Sequence, residues 1–299
     1  MDLVNHLNDR LLFAIPKKGR LYQKCVDILK GSDIKFNRSQ RLDIALSTNL
    51  PVALIFLPAA DIPRFVGEGK CDLGITGVDQ VRESQVDVNV AIDLRFGSCK
   101  LQVQVPANGD VTEPKQLIGK TIVSSFTKLT EDYFAKLENT TVDKMTTKVK
   151  YVSGSVEASC ALGVADAIVD LVESGETMRA AGLIDIDTVL ETSASLIESK
   201  QPKSDPELIQ TIKARIEGVM AAQAFVYCTY NALESKLPEF FKITPGRKAP
   251  TVSKISDAEN KWVSVSVMIE RNSKGNILDK LKANGATDIM VFEIQNCRI

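Results

Sequence analysis

IPRFVGEGKCDLGIT, residues 62–76, and VEASCALGVADAIVDLV, residues 156–172, follow one grammar. Each runs from an amphipathic stretch to a glycine (Gly69, Gly163), two residues, an aspartate (Asp72, Asp166) and an apolar run. Gly-x-x-Asp ahead of a buried strand is common in α/β proteins. Its recurrence once in each half nevertheless favours two similar lobes that end strands at a shared cleft.

Outward from these stretches, runs rich in Val, Ile and Leu alternate with amphipathic segments, the pattern of a mainly parallel sheet with crossover helices. Strands are predicted at Leu11–Ile15, Val52–Leu57, Asp72–Thr76, Thr121–Ser124, Lys148–Val152 and Ala167–Val172. Helices are predicted at Leu21–Leu29, Ile62–Gly67, Lys128–Leu137, Val156–Leu162 and Thr177–Ala181. Extended runs near 94–105 and 183–198 are expected to cross between lobes, which makes the first lobe discontinuous. The boundaries drawn are 1–102 with 183–204 for lobe I and 103–182 for lobe II.

Ser204-Asp205-Pro206-Glu207 is a helix start, with Ser204 expected as N-cap and Pro206 in the first turn. The helix, 205–224, links to a tail over 225–299 that reads strand, helix, strand, strand, helix, strand. That βαββαβ order is the ferredoxin-like arrangement. Gly285 closes its last helix. The tail holds no catalytic cluster, so binding, regulation or assembly is its expected task.

Composition narrows the chemistry. A chain of 299 residues predicts two or three domains, and 44% hydrophobic with 25% charged residues is ordinary for folded proteins. A formal charge of −1 argues against nucleic acid as partner, and no apolar run has the length of a membrane span. The first twenty residues fit no export signal, so a cytoplasmic location is expected. Six scattered cysteines without a CxxC pair read as buried thiols. His6 is the only histidine and is expected to be exposed ahead of the first strand. Histidine-based triads and His-rich metal sites therefore have nothing to work with, and no metal site borne by the protein alone is expected.

Two glycine motifs are decoys. Gly119-Lys120-Thr121 ends like a P-loop, but the required first glycine position holds Pro114. Gly67-x-Gly69 precedes its strand and has Asp72 where a dinucleotide fingerprint needs glycine. The informative loop is Asp166–Met178. An apolar strand carries Asp170 near its end, then opens into Glu173-Ser174-Gly175-Glu176-Thr177 and enters a helix directly. Two readings stand side by side: a phosphate seat built from backbone N–H groups and hydroxyls, or a plain capped βα turn. Beside it, Asp170 and Glu173 suit ribose hydroxyls or a bound Mg2+. Pro16-Lys17-Lys18-Gly19-Arg20 offers three cations on a loop that suits an anionic ligand, or else a solvated basic turn. Gly74–Asp79 ends the first-lobe strand in small residues that permit close ligand approach.

Taken in order, these motifs resemble the long form of ATP phosphoribosyltransferase, the family that begins histidine biosynthesis. The matching stretches are Lys17-Lys18-Gly19-Arg20-Leu21, Asp72–Asp79, Phe96-Gly-Ser-Cys-Lys100, Gly154-Ser-Val-Glu157-Ala, Asp166–Met178 and Gly246-x-x-x-Pro250-Thr251. Lys100 departs from the arginine expected in many relatives, keeping charge without a bidentate grip.

The resemblance implies a two-lobed core like type II periplasmic binding proteins, plus a ferredoxin-like regulatory domain that binds histidine. It implies transfer of the phosphoribosyl group from phosphoribosyl pyrophosphate to N1 of ATP, with Mg2+, feedback inhibition by histidine and a homo-oligomer from dimer to hexamer. Residue by residue, Glu173, Ser174, Gly175, Glu176 and Thr177 are expected to seat the 5′-phosphate, and Asp170 to hold the ribose. Lys17, Lys18, Gly19, Arg20, Gly77, Asp79 and Lys100 are assigned to ATP or pyrophosphate. Glu157, at the cleft, is expected to be catalytic together with Asp170 and Arg20, and Thr251 and Ser253 are candidate histidine contacts. Two rivals are a two-lobed non-catalytic sensor, which lacks the export signal of an external solute receptor, and a phosphoribosyltransferase acting on another base.

Overall fold

A computed structural model of the chain describes residues 7–38, 42–256 and 261–298; His6 lies outside them. The chain forms two compact units, one of residues up to Val26 with Lys35–Ile209, the other of Asp27–Ile34 with Gln210 onward.

Along the first unit, β1 (Leu11–Pro16) leads into α1 (Arg20–Gly31), whose last turns belong to the second unit. Then come β2 (Ile44–Leu46), β3 (Val52–Leu57), α2 (Ile62–Gly67), β4 (Leu73–Gly77), α3 (Val78–Ser84) and β5 (Val88–Asp93). The chain crosses to the second lobe for β6 (Cys99–Pro106), β7 (Thr121–Ser124), α4 (Thr127–Leu137) and β8 (Lys148–Tyr151). It continues through α5 (Ala158–Ala161), β9 (Ala167–Val172), α6 (Glu176–Ala180) and β10 (Leu183–Thr192). After Ser193, β11 (Ala194–Ser199) rejoins the first lobe.

The sheets run β2-β3-β1-β4-β11-β5 and β10-β6-β9-β7-β8. Each has a parallel trio, a strand delivered by the crossover and paired antiparallel, and an outer strand: β3-β1-β4 with β11 and β5, then β8-β7-β9 with β6 and β10. Apart from the added edge strand β2, antiparallel to β3, the two lobes therefore share one topology. Strand pairing moves the boundaries drawn from sequence. Leu183–Thr192 pairs with Cys99–Pro106, so 183–192 and 99–102 belong to the second lobe, and the predicted extended run 183–198 breaks at Ser193.

The Gly-x-x-Asp repeat has the same physical cause in both lobes. Gly69 and Gly163 end their helices at φ +63° and +66°, in the left-handed region that spares glycine. Three residues on, each aspartate makes a reciprocal pair with the strand at the middle of its lobe's parallel trio, β1 or β7. Leu12 N–H donates to Asp72 Oδ2 at 3.0 Å while Asp72 N–H donates to the Leu12 carbonyl at 2.9 Å. Thr121 N–H donates to Asp166 Oδ2 at 2.8 Å while Asp166 N–H donates to the Thr121 carbonyl at 2.9 Å. The carboxylate thereby satisfies a strand-entry amide that no neighbouring strand reaches.

Burial follows the same plan. Phe13, Ile15, Leu54 and Ile75 are buried in the first lobe; Leu101, Val103, Ile122, Phe134 and Val169 form the core of the second. Cys25, Cys71, Cys99 and Cys228 are buried free thiols, as expected, and Cys160 and Cys297 are half-buried. At the N-terminus of α4 the N-cap residue is Phe126, which has no capping oxygen. Glu83 of α3 takes over across the lobes, accepting Lys128 N–H at 2.9 Å and Leu129 N–H at 3.0 Å.

The linking helix α7 (Pro206–Ala224), whose first four residues belong to the first unit and the rest to the second, starts one residue later than expected. Asp205 accepts Glu207 N–H at 2.9 Å, whereas Ser204 turns its hydroxyl onto Asp72 at 2.9 Å, so Asp205 and not Ser204 is the cap. The tail is β12 (Phe225–Leu233), α8 (Leu237–Ile243), β13 (Thr251–Lys254), β14 (Trp262–Glu270), α9 (Lys274–Ala283) and β15 (Thr287–Glu293). Its sheet order, β13-β14-β12-β15 and antiparallel throughout, is the ferredoxin-like order. Gly285, at φ +94°, donates to the Lys282 carbonyl and Ala286 N–H reaches Leu281, closing α9 as the sequence predicts. No helix among the described residues is long and apolar enough to cross a membrane.

Candidate active site

Three cavities adjoin between the two sheets. One of about 280 Å³ is enclosed by the loop Glu173–Thr177 and by Arg20 at the start of α1. Gly175 makes this loop possible: at φ +75° it caps α6, and an added Cβ would lie 2.6 Å from Arg179 Nη1. Arg179 Nη2 in turn donates to the Ser174 carbonyl at 2.9 Å. Glu173, Ser174, Glu176 and Thr177 are exposed around the buried glycine.

Arg20 spans the cleft. Its guanidinium lies 3.6 Å from Glu173 of the second lobe and donates to Cys99 Sγ at 2.9 Å. Burial pushes the Cys99 thiol up, and Arg20 pulls it partly back. A smaller cavity of about 170 Å³ brings Lys18, Gly19 and Arg20 together with Gly77 and Asp79. The largest, about 430 Å³, is lined by Ser98, Cys99, Lys100, Glu173, Glu191 and Thr192 among others. Lys100 meets Glu191, directly opposite on β10, at 2.9 Å.

Asp170 is half-buried near the end of β9, accepting Leu171 N–H at 2.8 Å. Burial drives its carboxyl above the ordinary aspartate range, that amide lowers it, and the charge of Glu157 raises it again. Lys17 turns instead to Asp43, at 3.6 Å, and Thr251 and Ser253 are exposed on the edge strand β13 of the tail. Glu191, Thr192 and Gln102 join the site without any sequence signal, because only the β6–β10 register brings them opposite the quoted loops.

Comparison with known proteins fixes the chemistry. The ATP phosphoribosyltransferase family model (HisG) matches residues 58–218, and that of the HisG C-terminal domain matches 222–296. The chain belongs to the ATP phosphoribosyltransferase family. The ATP phosphoribosyltransferases of Saccharomyces cerevisiae and Kluyveromyces lactis are 76% and 75% identical to it over 299 residues, across the whole of both chains. An ATP phosphoribosyl transferase (HisG:HisZ) complex from Thermotoga maritima shares the fold, with a TM-score of 0.60 at 21% identity over 69% of this chain and 96% of that one.

As an ATP phosphoribosyltransferase, the protein transfers the phosphoribosyl group of phosphoribosyl pyrophosphate to N1 of ATP and releases pyrophosphate, the first step of histidine biosynthesis. The sensor and other-base readings fall away. A metal ion takes part in catalysis by this family. Among the described residues no three His, Cys, Asp or Glu side chains converge to hold one. The site's carboxylates fit instead a cation carried on phosphate oxygens and met by one or two acids.

Proposed function

We propose that the loop Glu173–Thr177 seats the 5′-phosphate of phosphoribosyl pyrophosphate, with Asp170 on the ribose and Glu157 beside it. The observation that carries this reading is the 280 Å³ cavity lined by that loop and Arg20, where a left-handed Gly175 opens the turn directly into the N-terminus of α6. Arg20, Lys18 and Lys100 serve the pyrophosphate and the ATP phosphates, with Gly19, Gly77 and Asp79 shaping that end of the cleft. Lys17 is the weakest member of the set, being already paired with Asp43.

The chemistry asks little of acid–base groups. Adenine N1 presents its lone pair at neutral pH, forms the bond to C1 of the ribose, and the bond from C1 to pyrophosphate breaks. Mg2+ supplies charge neutralisation on the leaving pyrophosphate. The protein's share is alignment of two substrates and electrostatic support. Histidine inhibits at the tail through Thr251 and Ser253, and the enzyme works as a homo-oligomer, from dimer to hexamer, in the cytoplasm.

Formation of the N1-substituted adenine changes its ultraviolet absorbance, which gives a continuous assay. Thr177→Leu is expected to raise the apparent KM for phosphoribosyl pyrophosphate at least tenfold while that for ATP moves less. An unchanged value removes Thr177 from the phosphate seat. In the full chain, Thr251→Ala and Ser253→Ala are expected to raise the histidine concentration for half inhibition, and unaltered inhibition relocates the effector site.

A further inference from the structure

Asp79 is 2% exposed, yet it borders the cavity shared by Lys18, Gly19 and Arg20. Its carboxylate folds back over the chain, so that a Cβ on Gly77 would fall 2.1 Å from Oδ1; glycine at 77 is what admits it. The carboxylate is held there by a residue from the other lobe. Thr192, the last residue of β10, donates its hydroxyl to Asp79 Oδ1 at 2.8 Å and accepts Asp79 N–H on the same oxygen at 3.0 Å. Oδ2 accepts Gln80 Nε2 at 3.1 Å. One residue on, the Ser193 carbonyl accepts Val78 N–H at 3.1 Å. Thr192 itself is 7% exposed and faces the 430 Å³ cavity.

We propose that Thr192 is a positioning residue for the transfer reaction: it fixes the Asp79 carboxylate, and through it Arg20, at the point where the second lobe hands the chain back to the first. The inference rests on Arg20 serving the pyrophosphate group, as set out above. A buried carboxylate with two acceptor atoms swings when one donor is removed, because nothing else buried can replace it. Asp79 and Arg20 line the same 170 Å³ cavity and carry opposite charges, so a displaced carboxylate lets the cation drift toward Glu173, with which it is already paired at 3.6 Å.

The test is a kinetic cycle in the full-length enzyme, read by the absorbance assay. Thr192→Val removes the hydroxyl at nearly constant volume; Thr192→Ser retains it; Arg20→Met removes the cation. The expected result is about a tenfold rise in apparent KM for phosphoribosyl pyrophosphate in Thr192→Val, equivalent to about 1.4 kcal/mol. Recovery to within twofold is expected in Thr192→Ser, with no further rise when Thr192→Val is added to Arg20→Met. A merely structural threonine would lower Tm equally in both backgrounds and leave that KM alone, which overturns the proposal. If Arg20→Met raises KM and Thr192→Val does not, only the positioning role fails. If neither variant moves it, the assignment of Arg20 fails and the proposal with it. Should Thr192→Val not fold, Thr192→Cys, with a weaker donor, carries the same cycle and the same criteria.

Discussion

Replacing Asp72 with alanine removes the acceptor of four donors: Leu12 N–H at 3.0 Å, Lys203 N–H at 2.7 Å, Ser204 N–H at 3.2 Å and the Ser204 hydroxyl at 2.9 Å. Hydrogen bonds to a charged group contribute about 1.5–3 kcal/mol each when water cannot substitute. Lys203 is exposed, so its amide rehydrates, whereas Leu12 and Ser204 are half-buried and the carboxylate is only 4% exposed. The Ser204 hydroxyl can turn to water, so the two remaining amides put the expected loss at about 3 kcal/mol. Asp166 occupies the equivalent place but is exposed, with a single such bond from Thr121, so Asp166→Ala is expected to lose about 1 kcal/mol or less. Asn at 72 should rescue little, since its NH₂ would face donors.

Native-state hydrogen exchange reads this difference locally. Protection of the Leu12 amide should fall by about two decades in Asp72→Ala, at 1.4 kcal/mol per decade, against less than one decade for Thr121 in Asp166→Ala. Equal losses at the two strands, or a change under threefold at Leu12, would refute burial as the quantity that sets the worth of this motif.

Glu83→Ala should free the amides of Lys128 and Leu129 and destabilise the start of α4 by about 1–2 kcal/mol, seen as faster exchange there with little change at α9. Burial pushes the Glu138 carboxyl up, but the amides and hydroxyls of Thr146 and Thr147 outweigh it and bring it to about 2. Because its folded value is depressed, the stability it supplies is full above the unfolded value of about 4.3 and drains away as pH falls toward 2. The urea midpoints of wild type and Glu138→Gln should therefore differ by a constant amount above about pH 5 and converge near pH 2. Gly175→Ala forces a side chain into the left-handed region at about 1–2 kcal/mol, and its Cβ collides with Arg179. The measurable consequence is a raised KM for phosphoribosyl pyrophosphate, and an unaffected KM would discount the loop's geometry.

Sequence was informative where one element carried its own signal. The echo of Ile62–Thr76 in Val156–Val172 exposed the two-lobed plan because a left-handed glycine and a capping aspartate are local requirements. The loop after Val172 stood out for the same reason. Signals that depend on a distant partner stayed hidden. β2 is three residues long, and α3 follows Gly77 with no intervening turn, so neither announces itself. Ser204 has good N-cap chemistry but is claimed by Asp72, far away in the chain. Glu83 caps a helix 44 residues away, and Glu191 and Thr192 enter the site only through strand register.

The strand order of the first sheet also bears on how the chain is made. β11 lies between β4 and β5, so β5, though synthesised early, has no place to dock until Ala194–Ser199 has emerged. At ribosomal elongation rates of about 5–20 residues per second, the exposed edge of β4 waits on the order of ten seconds. During that interval the second sheet has all its strands in hand, since β6 to β10 are contiguous in the chain. The lobe that starts first is thus the one that finishes last, and the nascent half-sheet is the stage at which a chaperone would find most to bind.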